Sequence, residues 1–190
     1  MRSFFQSLLP AALLLACAQA QTPVPAPEPP IEWDVRAVLK EISAHANRLV
    51  PLIDQIDPEA WKAKGAPDAY VGQKKSARAQ AQALATEAAA LTKDPEKLSE
   101  AMKVFFRIQS LEFMMNSLAD GVRKYQNPAV ADLLLSVSSE NGANRERFQR
   151  FIVELTARRE QEYEIMDHEA QRCRSVLTRE TPGKTMRKSP

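Results

Sequence analysis

Residues 95–130 read PEKLSEAMKVFFRIQSLEFMMNSLADGVRKYQNPAV. Within them Leu98, Met102, Phe105, Ile108, Leu111, Met115, Leu118 and Val122 recur in steps of three and four, the spacing that puts side chains on one face of an α-helix. The pattern stops at Asn127-Pro128, where an asparagine can cap free backbone N–H groups and a proline sits where its missing donor does no harm. A helix over Pro95–Tyr125 that delivers most of a bulky core, followed at once by another helix from Pro128, is therefore expected. A methionine and phenylalanine stripe at this spacing belongs to a core more often than to a haem pocket.

The same start signal precedes two earlier segments, Asp57-Pro58-Glu59 and Asp94-Pro95-Glu96, each with a glutamate placed to meet the positive end of the helix dipole. Upstream of the first, Val35, Val38, Leu39, Ile42, Ala46, Leu49, Ile53 and Ile56 form one stripe and predict a helix over Asp34–Ile56. A short turn follows through Trp61, expected to plug an end of the fold, and Gly65-Ala66-Pro67 breaks it. Tyr70, Ala77, Ala81, Leu84, Ala88 and Leu91 then predict a helix over Tyr70–Leu91 whose small residues allow a close neighbour.

After Pro128 the apolar positions Val130, Leu133, Leu134, Val137, Phe148, Phe151, Ile152 and Leu155 continue helical phase, with polar spacing as far as Leu177. At 1.5 Å per residue such a helix spans about 75 Å, against about 46 Å for Pro95–Tyr125. Either Gly142 bends it or its end projects. Apolar positions thin to Tyr163, Met166, Ala170 and Cys173, so this part is the natural overhang, open to a partner protein or a second copy. Short connections favour an all-α, antiparallel up-down-up-down four-helix bundle with a long, projecting C-terminal helix. Five glycines and 6% aromatic residues in 190 agree with helices over sheet.

The ends carry a different code. Arg2, an apolar run through Leu8, Leu9 and Leu13 to Leu15, and small residues after it predict a signal peptide over 1–20, too short for a permanent span. Two cuts compete: before Cys17, after Leu14-Leu15-Ala16, giving a lipid-anchored protein, or after Ala18-Gln19-Ala20. Pro23, Pro25, Pro27, Pro29 and Pro30 make 21–32 a proline-rich linker, 33–178 forms the helical domain, and 179–190 is a basic, disordered tail. The chain is expected to be exported to the periplasm or beyond, with membrane attachment only through a lipidated Cys17. Cys173 then has no intramolecular partner and is either a buried small residue or an intermolecular link.

Two ionisable residues occupy positions that the apolar pattern reserves. His45 lies seven residues from both Val38 and Leu52, and Glu112 seven from both Phe105 and Ala119. Folding the third helix back onto the fourth about Gln126-Asn127 sets Glu112 opposite Asn141. The expectation is a polar layer at mid-bundle made of His45, Glu112, Asn116, Glu140, Asn141 and Asn144. Such a layer either fixes helix register through hydrogen bonds or forms a site, with His45, Glu112 and Glu140 as candidate ligands of a divalent metal. A noncovalent haem held by His45 and one of Met102, Met114 or Met115 is the other cofactor alternative; no cofactor is the first expectation.

No catalytic residue is assigned. Haem-attachment, phosphate-loop, paired-cysteine zinc and nucleophile-elbow patterns are absent, and His168 sits among Glu164, Asp167 and Arg172 as a surface residue. Charge is nearly balanced, 26 Lys and Arg against 24 Asp and Glu, so no specific nucleic-acid partner is expected. The order of helix, Trp61 turn and helix resembles metal-binding bundles of the DinB type, but the histidine set of that family is absent, and nothing is carried over from it. The function expected is that of a non-enzymatic binding or scaffold protein working through its last helix.

Overall fold

A computed structural model describes residues 34–180, with the side chains of the last two excepted. The leader, Cys17, the proline-rich linker, Trp33 and the basic tail beyond Glu180 lie outside the described residues. Among the described residues every regular element is a helix: α1 (Val35–Asp54), α2 (Pro58–Lys62), α3 (Ala69–Leu91), α4 (Leu98–Tyr125), α5 (Pro128–Ser139) and α6 (Gly142–Glu180).

The caps explain the boundaries. Asp34 accepts the Arg36 N–H, Asp57 the Ala60 N–H and Asn127 the Ala129 N–H through their side chains, each satisfying an orphan donor of α1, α2 or α5. Asp94-Pro95-Glu96 behaves differently from expectation: it forms a turn, and α4 begins at Leu98 without a side-chain cap. The Asp94 carbonyl accepts the Lys97 N–H at 3.4 Å, so the signal closes the loop ahead of the helix instead of starting it.

Which ends meet follows from the polar bonds between helices. Ser43 Oγ donates to Ala85 O (2.7 Å), Arg36 to Thr92 O and Arg78 to Asp54, so α1 runs against α3 with opposite direction. Arg107 grips both oxygens of Glu87 at 2.7 Å and also donates to Gln80, joining α4 to α3. Arg123 reaches Asp132 from α4 to α5, while Arg158 and Arg159 both bind Glu96 where α6 passes the start of α4.

Beneath these bonds lies one apolar core. Seven residues of the α1 stripe are buried outright, Val38, Leu39, Ile42, Ala46, Leu49, Ile53 and Ile56, and on α3 the inward face is Ala77, Ala81, Leu84, Ala85, Ala88 and Leu91. Small side chains there let α1 and α4 come close, and the bulk comes from α4: Ile108, Leu111, Met115, Leu118 and Val122. Each such Ile, Leu or Met contributes roughly 1.5–3 kcal/mol of transfer free energy.

One end is closed by aromatic rings. Trp61 is buried, stacks on Tyr125 with centroids 6.0 Å apart and meets Tyr70 edge-on at 5.5 Å. Its indole N–H donates to Gln126 Oε1, and the Gln126 amide donates to Gln55 O, so one side chain ties the end of α1 to α2 and α4. Gly121 makes this possible: a Cβ on it would lie 2.8 Å from both Trp61 and Tyr70.

Three expectations are corrected. The segment after Pro128 is two helices, α5 and α6, separated at Glu140–Asn141. Leu133, expected in the core, is 51% exposed, because the α5 residues that reach inward are Ala131 and Leu134. Cys173 is exposed rather than a buried apolar filler. From Ala157 to Thr178 every residue of α6 is exposed, which places the departure of that helix from the body at Thr156.

Candidate functional site

The sequence Ser138-Ser139-Glu140-Asn141-Gly142 supplies the break between α5 and α6. Serine and asparagine compete with the helix for backbone bonds and glycine loses most entropy in it, so four such residues among five make a weak point in an otherwise long helical run. α5 therefore ends with carbonyls lacking i+4 donors. Val137 O takes the Glu140 N–H at 3.3 Å, and a second bond at 2.7 Å comes from His45 Nε2 on α1. Because a carbonyl oxygen only accepts, Nε2 carries the hydrogen.

His45 is 5% exposed, and this bond accounts for an imidazole within an apolar stripe: it caps the broken helix from across the interface. One turn further along α1, Arg48 pairs with Glu140 at 3.2 Å, so Glu140 lies exposed at the α5 C-terminus facing α1. Asn141 is 3% exposed; its carbonyl accepts the Arg145 N–H and opens α6, and its buried Oδ1 meets no donor among the described residues.

Glu112 lies on the other side of the break. It is half-buried and accepts from Arg145 at 2.7 Å, one turn beyond the Asn141 that folding about Gln126-Asn127 sets opposite it. Glu112, Asn116, Ser138, Ser139, Gly142 and Arg145 line a cleft of about 250 Å³ that opens to solvent beside Leu135. Asn116 is exposed at its edge and Asn144 is half-buried on α6.

Four of the six expected polar-layer residues thus divide into two sets about the α5–α6 junction, with Asn141 and Asn144 at the start of α6. His45 and Glu140 are engaged with α1 and the end of α5, whereas Glu112 and Asn116 belong to the α4 cleft with Arg145. Both carboxylates face a guanidinium and His45 Nε2 is taken by Val137 O, so each of the three candidate ligands already has a structural partner. Among the described residues no three His, Cys, Asp or Glu side chains converge as metal ligands. For the haem alternative, Met115 is buried in the core, while Met102 and Met114 are half-buried.

A second surface is apolar. Met102 and Phe105 of α4 with Ile152, Val153 and Thr156 of α6 line a groove of about 440 Å³. It is followed by a depression of about 450 Å³ where Leu98 and Thr156 meet Tyr163. Phe106 and Phe113 lie exposed on the outer face of α4, the latter at 74%. No sequence signal separates them from the core phenylalanines except phase: both fall on the face opposite the buried stripe, roughly 150° or more from its centre.

Beyond the groove α6 continues with every residue to Thr178 exposed among the described residues. Tyr163, Ile165, Met166, Val176 and Leu177 are all at least half exposed. At the exit Arg159 holds Glu162 at 2.7 Å and Glu96 at 3.2 Å; the Glu162 hydrogen bond first, then its charge, raises the guanidinium pKa further, so this positive charge is permanent. No described helix is long and apolar enough to cross a membrane. Compared with known protein families, curated proteins and solved structures, the chain matches none.

Proposed function

We propose that this chain is an exported, antiparallel up-down-up-down four-helix bundle whose fourth rod is divided into α5 and α6, and that it works as a non-enzymatic binding or scaffold protein through the projecting part of α6. One observation carries the reading: 22 consecutive residues, Ala157 to Thr178, are exposed, and apolar side chains stand among them. A helix with so little cover gains stability from a contact surface, since most helical stability in proteins comes from packing of an apolar face. Export rests on the leader pattern of Arg2, Leu8 to Leu15 and Ala18-Gln19-Ala20; a lipidated Cys17 is the route to a membrane.

The polar layer supports a binding protein over an enzyme, because the roles of His45, Glu112 and Glu140 are met by helix capping and ion pairing. Ending the chain at Thr156 is the test. The truncated protein should keep cooperative thermal unfolding and the helical circular dichroism of its remaining residues, and should lose association with itself and with envelope components. Unchanged association would refute the reading. Mass spectrometry of the chain recovered from whole cells that produce it should find an N-terminus at Gln21 or a diacylated Cys17; a chain that keeps Met1 throughout would refute export.

A further inference from the structure

The projecting part of α6 carries its charges in two blocks. Residues 160–169, EQEYEIMDHE, hold Glu160, Glu162, Glu164, Asp167 and Glu169 and no Lys or Arg. Residues 170–179, AQRCRSVLTR, hold Arg172, Arg174 and Arg179 and no Asp or Glu. A single helix gains little from such segregation, since only the residues within a turn of one another can pair. Two helices laid antiparallel bring acid against base along their whole contact; laid parallel, they bring acid against acid.

Apolar spacing supplies the seam. Tyr163, Met166, Ala170, Cys173 and Leu177 follow in steps of three, four, three and four, the alternation that keeps one stripe facing a partner helix in a coiled coil. All five are exposed in the single chain. Cys173, a small side chain in this stripe, and Ala170 leave room for close approach, while Met166 and Leu177 supply bulk.

We propose that α6 pairs with α6 of a second copy of this chain as a short antiparallel two-stranded coiled coil. The register that pairs four of the five stripe residues and opposes the charges sets Ala170 opposite Cys173 of the second copy and Met166 opposite its Leu177, leaves Tyr163 at the edge of the seam, and places Asp167 beside its Arg174. Each of these relations occurs twice by symmetry. In the parallel alternative Glu162 flanks Asp167 of the other copy, a like-charge contact. Tyr163 to Leu177 covers only about 21 Å, some two heptads, so reversible association in the micromolar range is expected. The inference rests on α6 being the contact element and adds the identity and direction of its partner.

The test is sedimentation of the full exported chain from about 1 to 500 µM. The wild type should show a monomer–dimer equilibrium. R172E/R174E, which leaves acid at both 167 and 174, and D167R/E169R, which leaves base at both, should each dimerise at least ~10-fold more weakly, and an equimolar mixture of the two should recover a heterodimer. All four positions are solvent-exposed, so circular dichroism should show both variants folded. Mild oxidation should link copies of A170C through the facing Cys173 and leave the wild type largely unlinked. A wild type that is monomeric across the range overturns the proposal, as do charge variants that dimerise normally or a wild type that oxidises as readily as A170C. If the chain is monomeric yet loss of α6 still abolishes envelope association, self-pairing alone fails; if neither association depends on α6, the binding role fails with it.

Discussion

His45 shows how one side chain can look like a ligand and act as a cap. Its Nε2 bonds Val137 O at 2.7 Å in a nearly water-free position, so His45→Leu leaves a carbonyl without that donor and is expected to cost about 1–3 kcal/mol, read by urea denaturation. His45→Gln keeps a donor on a similar stem and should cost less; equal losses would show that packing, not the bond, is what His45 supplies. Gly121 is the other decisive residue. Gly121→Ala places a methyl 2.8 Å from Trp61 and Tyr70, both packed rings with little freedom to move, and should destabilise by about 1–3 kcal/mol. Glycine in a helix interior already costs about 0.5–1 kcal/mol against alanine, and that local penalty was the only trace of its role in the sequence. The reason for it sits on α2 and α3, far away along the chain.

At the scale of elements, helix ends separate two uses of one motif. Asp57 and Asn127 cap α2 and α5 through their side chains, whereas Asp94 lies four residues ahead of the start of α4. Asn127→Ala should therefore cost ~1 kcal/mol and Asp94→Ala less than about half of that, compared by thermal denaturation. Equal losses would mean that Asp94 caps α4 after all. Periodicity made α1, α3 and α4 legible, since their inward faces are long and regular. The α5–α6 break was visible only as weak helix formers around Gly142. Whether such residues bend, break or merely loosen a helix depends on what waits to satisfy the freed backbone, here His45 from α1, with Arg48 holding the Glu140 side chain beside it.

Across the whole molecule the body and the projecting helix obey different rules. Buried side chains from α1, α3, α4, α5 and the first turns of α6 hold the body together, while α6 beyond Thr156 adds almost no burial to it. Removing that part should leave the unfolding midpoint within a few degrees, because the ion pairs lost with it, Arg158 and Arg159 to Glu96, are exposed and worth roughly 0.2–1 kcal/mol each. A larger drop would show that the helix braces the body. Self-association carried by opposed charge blocks should also weaken as salt rises from about 0.05 to 0.5 M, where the screening length falls below ~5 Å.

Local chemistry in the sequence determined that the domain is helical, where most helices begin, which faces are apolar and that the last helix outruns its neighbours. Those properties depend on residues three or four apart, which share a turn wherever the chain goes. Only the tertiary structure decided that the fourth run divides, that Glu112 meets Arg145, that Glu140 meets Arg48 and that His45 closes a helix end. A residue facing inward by phase can meet any of several helices. Which one it meets is set by how the backbone turns at Glu140–Asn141, a choice made by the packing of the whole body.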